Sequence, residues 1–133
     1  MTAVYPFMPG GPSRGRRILN SISRVMGLSA DEQKLKLLRD HAEMGDARAQ
    51  RLLALRLWRG RGVAQDWTEA ARWMQRSAAQ GLSLAQRDLG EFYQQGIGVA
   101  RDDRLALQLY RAAAAQGDPI ARRRLASFPK PAP

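Results

Sequence analysis

No cysteine occurs in the 133 residues, which removes disulfide frameworks and thiolate metal sites in one step. Histidine is almost as scarce. His41 alone builds no metal cluster, and with no acid or nucleophile positioned beside it, it reads as a half-buried packing residue. Acidic residues are the minority, 12 against 22 basic, which leaves a net charge of +10. No apolar run approaches the ~18–20 residues needed to cross a bilayer, so no transmembrane segment is expected. Arg16-Arg17-Ile18-Leu19 has the paired arginines of an export signal, but Asn20, Ser21, Ser23 and Arg24 break the apolar stretch that such a signal needs. Cytoplasmic residence is the expectation. A serine–lysine motif or a metal-ligand pattern is missing too, so neither an enzyme nor a cofactor is expected.

What the chain does have is a period. Gly62-Val63-Ala64-Gln65-Asp66 returns 36 residues later as Gly98-Val99-Ala100-Arg101-Asp102, and 46–81 laid over 82–117 gives 14 identities without a gap. The identities include Gly60/Gly96, Ala70/Ala106 and the whole of Ala78-Ala79-Gln80-Gly81 against Ala114-Ala115-Gln116-Gly117. A fixed period of this length in a helical sequence marks a stacked array of helix pairs. A glycine loop ending in aspartate could serve as a phosphate cradle. Its recurrence makes it a spacer and cap between paired helices instead.

The local signals agree. Asp46 is placed to cap a first helix ending near Trp58, and Asp66 with Glu69 has the spacing of a capping box for a second over 67–80. The following copy predicts helices over 83–95 and 103–116, with Asp102 as cap and Gly117 as stop. Asp118-Pro119 opens a last helix that ends before Pro129. Upstream, Gly27-Leu28-Ser29-Ala30-Asp31 echoes the loop more weakly. Ser29 and Glu32 form a capping box for a helix of about Ala30 to Glu43, whose core stripe is Leu35, Leu37, Leu38, His41 and Ala42. Ile18, Leu19, Ile22, Val25 and Met26 have helical spacing before it, so seven helices are expected. The organisation is a disordered leader over 1–12 and a repeat domain over 13–128, followed by a tail over 129–133. The repeat domain divides into a degenerate repeat 13–45, repeats 46–81 and 82–117, and a capping helix 118–128.

Written out, the second full copy is Ala85-x3-Leu89-Gly90-x2-Tyr93-x2-Gly96-x-Gly98-Val99-x2-Asp102-x3-Ala106-x3-Tyr110-x2-Ala113-Ala114-x2-Gly117. This pattern closely resembles the Sel-one-like repeat, a relative of the tetratricopeptide repeat. The preceding copy departs from it at Ala54 for glycine, Leu57 for tyrosine, Met74 for the second aromatic and Ser77 for alanine, all small or apolar swaps. The resemblance implies an all-α, right-handed α-solenoid of antiparallel helix pairs, about three repeats plus a terminal helix. It also implies a protein–protein interaction or adaptor role, with a partner on the concave surface lined by the first helix of each pair. Some cysteine-rich relatives in that family have been assigned β-lactamase activity; this chain has none of their cysteines.

At ~100° per residue, the core of the first helix of the pair centres on Ala49, Leu53 and Leu57. Arg51 then points about 160° away, with Arg48, Leu55 and Trp58 on its side. One period on, Arg87, Glu91 and Gln94 take the equivalent surface, and Arg123 another period on. Arg16 is the counterpart in the degenerate repeat. An arginine recurring at one register forms a ladder that can hold carboxylates bidentately. The expected partner is therefore an acidic segment of another protein. Nucleic acid or an anionic surface is the second reading of the +10 charge, although no aromatic-interleaved basic tract supports it. The open ends of the array could also pair two copies as a homodimer. Trp67 is expected to pin the 59–65 loop.

Overall fold

The computed structural model describes residues 27–130, and every element in that range is helical. In chain order these are α1 (Ala30–Glu43), α2 (Ala47–Arg59), α3 (Trp67–Ala79), α4 (Ser83–Gln95), α5 (Asp103–Ala115) and α6 (Pro119–Ser127). The leader, the helix expected before Met26, and Arg16 lie outside the described residues. Compact packing divides the chain into Met1–Lys34 and Leu35–Pro133.

In the first unit, Ser29 and Glu32 close the expected capping box. The Glu32 amide donates to Ser29 Oγ at 3.2 Å, and the Ser29 amide to Glu32 Oε2 at 3.0 Å. Gly27 has φ +71°, the left-handed geometry that Gly62 and Gly98 adopt at +69° and +66°. The weak third echo of the loop is thus an echo in backbone conformation as well as in sequence.

In the second unit, α2 packs on α3, α3 on α4, α4 on α5 and α5 on α6. Asp46, Asp66, Asp102 and Asp118 each sit at an N-cap with the side chain accepting first-turn amides. The box expected at Asp66 is only half formed. Asp66 accepts from the Glu69 amide, but the Glu69 carboxylate turns outward to Arg39 Nη1 at 2.8 Å and Trp73 Nε1 at 3.2 Å. The Asp66 amide that the box would engage donates instead to the Leu57 carbonyl at 2.9 Å, which leaves the Glu69 carboxylate to the cation and the indole N–H.

Most of the core of this unit comes from residues at matched register, with Phe92 an exception opposite Arg56. Leu53, Ala54, Leu57, Ala70, Ala71 and Met74 are buried in the first copy, and Ala85, Phe92, Ala106, Tyr110 and Ala113 in the second. Within the helices, close approach is demanded at Gly90, where an added Cβ would stand 2.8 Å from the Tyr110 ring. One period earlier the same two positions hold Ala54 and Met74, both fully buried. The flat ring needs a glycine beneath it, whereas a flexible thioether packs over a methyl group. The two departures of the first copy therefore compensate one another.

A second repeated device joins the pairs. Gln80 Nε2 donates to Gln50 Oε1 at 2.8 Å, and one period on Gln116 Nε2 donates to Gln86 Oε1 at 2.9 Å. Sequence identity marks all four glutamines without revealing that they bond.

The stripe expected on α1 needs correction. Ala42 is buried and Leu35 and Leu38 are partly so, while Leu37 and His41 are exposed. Positions 35, 38 and 42 fall within about 60° of one another on a helix, whereas 37 and 41 project from the opposite side. His41 is a surface residue, not a half-buried one.

Candidate functional site

The first helices of the pairs, α2, α4 and α6, carry the surface where a partner is expected. On α2, burial covers a wide arc. Ala49, Gln50, Leu53, Ala54 and Leu57 are buried, and Arg51, Leu55 and Trp58 are half-buried. Arg48, Leu52 and Arg59 are the exposed residues of this helix. The solvent-facing strip thus centres about 80° around the helix from Arg51. Helical spacing alone treats α2 as buried on one side only, but it faces both its hairpin partner α3 and the next first helix, α4.

Leu55 and Trp58 are accordingly not an exposed pair. Both pack against the core, with Trp58 tilted against Phe92 of α4 at 5.6 Å between ring centroids. The Arg59 guanidinium lies over the outer face of Trp58 at 4.9 Å. Trp67 ties together the helix ends that flank the loop: its indole N–H donates to the Trp58 carbonyl of α2 at 3.2 Å. The second loop is held from the other side, since a Cβ at Gly98 would stand 1.9 Å from the Trp67 carbonyl oxygen.

The arginines at the recurring register are tied to carboxylates of the chain itself. Arg51 Nε donates to Asp88 Oδ2 at 2.6 Å, and Arg87 contacts Asp88 Oδ1 at 3.3 Å and Asp118 Oδ2 at 3.1 Å. The result is an alternating string, Arg51–Asp88–Arg87–Asp118, running from α2 across α4 to the cap of α6. Its members are only 3–19% exposed, so their charges screen one another in a poorly solvated seam. Glu91 pairs with Arg124 at 2.9 Å, and Gln94 Oε1 accepts the Tyr110 hydroxyl at 2.8 Å. Burial first, and then the nearby Glu91 and Asp88 carboxylates, push the Tyr110 hydroxyl up to about 12, against the opposing pull of Arg124. Of the nine candidate residues, the structure leaves Arg48 and Arg123 exposed, and it uses Arg51, Arg87, Glu91 and Gln94 to join helices. Helical spacing carries no sign of this, because the acids that answer the arginines come from the next helix.

What remains open on this surface is different. Leu52, Leu84 and Ile120 are 48%, 39% and 40% exposed, one on each first helix. Between α2 and α4 lies a groove of about 410 Å³ lined by Arg48, Arg51, Leu52, Leu82, Ser83 and Leu84. At its edge α4 begins without a side-chain cap, because Leu82 stands where Asp46 and Asp118 stand for α2 and α6.

The charge is distributed unevenly as well. Carboxylates are consumed inside the chain: Asp46, Asp66, Asp102 and Asp118 as caps, and Asp40, Glu69, Asp88, Glu91, Asp103 and Asp118 in ion pairs. Arg48, Arg72, Arg76, Arg111, Arg122 and Arg123 are exposed and enter no ion pair among the described residues. No group of residues able to hold a metal ion occurs among the described residues, and no helix there is long and apolar enough to cross a membrane.

With helix pairs, glycine loops and caps repeating at one register, the fold can be set beside known proteins. The model of the Sel1 repeat matches residues 47–82 and 83–118. The chain belongs to the Sel1 repeat family. A Sel1 repeat protein from Oxalobacter formigenes is 39% identical with a TM-score of 0.71, over 84% of this chain and 85% of that one. A protective antigen of uropathogenic Escherichia coli displaying an SLR fold is 29% identical with a TM-score of 0.70, over 82% of this chain. This chain spans only 24% of that protein's length. Cysteine rich protein B of Helicobacter pylori, 18% identical with a TM-score of 0.66 over 79% of this chain and 78% of its own, shares the fold. No curated protein matches by sequence. The all-α helical-repeat solenoid is thereby shared with solved members, and Sel1 repeats generally serve as protein–protein interaction modules.

Proposed function

We propose that this Sel1 repeat chain is an adaptor that holds an acidic segment of a partner protein along the exposed strip of its first helices. The observation that carries this reading is the division of charge. Nearly all carboxylates are committed to caps and internal pairs, while Arg48 and Arg123 stand exposed beside Leu52 and Ile120 respectively. Surplus cations next to exposed apolar side chains suit a partner that is acidic and partly apolar. Arg51 and Arg87 contribute by holding the helices in register and not as free forks.

Capture of the partner from the native cell by crosslinking, followed by binding assays with the purified pair, tests the reading. The double variant Arg48→Glu/Arg123→Glu should lose at least tenfold in affinity at unchanged helicity, since two exposed charges on the strip are reversed. A partner that binds the double variant as tightly as the wild type, or one that proves to be nucleic acid, refutes it. Charge reversal at Arg51 or Arg87 is a poorer probe because it also breaks the seam.

A further inference from the structure

We infer that the groove between α2 and α4 is the anchoring point for that partner, and that it takes a carboxylate adjoining a leucine-sized apolar side chain of a partner protein. The inference rests on the adaptor reading and adds a location and a chemical class to it. The groove's volume of about 410 Å³ suits one or two side chains and not a folded surface. Its walls are of two kinds. Leu52, Leu82 and Leu84 supply the apolar part, with Leu52 and Leu84 exposed although nothing in the fold requires it.

Arg48 and Arg51 supply the charge. Arg48 is exposed and enters no ion pair among the described residues. Arg51 spends Nε on Asp88, and no buried side-chain nitrogen is left without a partner among the described residues, so its terminal amines are satisfied by solvent. They remain donors for an incoming carboxylate. One more donor comes from register. Asp46 Oδ1 accepts the amides of Arg48 and Ala49, and Asp118 Oδ1 accepts those of Ile120 and Ala121. The equivalent amides on α4 belong to Leu84 and Ala85, and Leu82 offers them no side-chain acceptor. Ala85 is fully buried, so a partner carboxylate over the groove meets the Leu84 amide and the two arginines together, while its apolar neighbour covers Leu52 and Leu84.

The test uses the full chain and three eight-residue peptides: alternating Asp-Leu, all-Asp, and alternating Ser-Leu. Amide and arginine Nε signals are followed by NMR during titration. The inference expects the Asp-Leu peptide to move Leu84, Ala85 and Arg51 Nε, and to bind roughly tenfold more tightly than either control. Leu52→Ser should weaken it about tenfold. Leu82→Asp, which supplies the missing cap from within, should raise the melting temperature and displace the peptide. A Leu82→Asp variant that is stabilised but binds the peptide undiminished overturns the inference. So does binding whose signals centre on α6 and ignore both substitutions, an outcome that leaves the adaptor reading standing. If no acidic peptide binds, the groove assignment fails, and the adaptor reading is judged separately by partner capture.

Discussion

At the scale of single residues, the chain's stability hangs on a few side chains that serve two helices at once. Asp88 receives both Arg51 and Arg87 while only 8% exposed. Asp88→Ala would strand two guanidinium groups in the seam, and a loss of roughly 3 kcal/mol is expected in urea unfolding, the lower part of the range for breaking a buried pair. Gly90→Ala sets a methyl against the Tyr110 ring and should cost about 1–3 kcal/mol. Adding Tyr110→Met recreates the Ala54/Met74 combination and should recover most of it. A double-mutant cycle without positive coupling would show the two positions to be independent. Tyr110 also sets an alkaline limit. Its hydroxyl is raised from 10.0 to about 12 in the fold, so the folded chain holds a proton that the unfolded chain releases. Its contribution is complete below pH 10 and is lost as pH rises toward 12. The wild type should therefore lose stability across that window more steeply than Tyr110→Phe, measured by urea unfolding at stepped pH.

At the scale of elements, the loops separate conformational from steric demands on glycine. Gly62 and Gly98 share φ near +70°, but only Gly98 has a neighbour, the Trp67 carbonyl, where a Cβ would go. Gly62→Ala should cost about 1–2 kcal/mol for the left-handed backbone alone. Gly98→Ala should cost clearly more, because the loop must also withdraw from α3. Equal losses in the two variants would mean that the loop yields freely.

These elements are largely legible in the sequence. Caps, glycine stops and apolar spacing are local signals, and they place α1 and α4 to the residue and the others to within one or two. The surface is less legible. The periodicity of one helix reveals a buried face, but not that α2 has two buried neighbours, and so Leu55 and Trp58 read as exposed. Asp88 and Asp118 do not stand out as partners of the arginines, because pairing between successive repeats joins positions more than 30 residues apart. The recurrence of Gln50/Gln86 and Gln80/Gln116 is a clue to contacts within each repeat, and nothing comparable marks those between repeats.

For the whole molecule, the separation of committed acids from exposed cations has a measurable effect on the fold itself. Like charges on the outside of a chain with net charge +10 repel one another, whereas the seam of Arg51, Asp88, Arg87 and Asp118 is shielded from the medium. Salt screens the former far more than the latter. The melting temperature should consequently rise between low and physiological ionic strength. A fall would mean that exposed pairs such as Lys36–Asp40 dominate the balance.

The alternating string also determines how this protein can grow. Each arginine finds its acid by one of two junctions. Arg51 meets a leucine at the next cap and turns to Asp88 within the helix, while Arg87 meets Asp118 at the cap itself. A duplicated 82–117 tile inserted after Gly117 would present Leu82 and Asp88 again, the first junction. A duplicated 46–81 tile would present Asp46, the second. Either tile leaves no arginine stranded, so lengthening by duplication meets no electrostatic obstacle at the joint, and tiles of both kinds can succeed one another in any order.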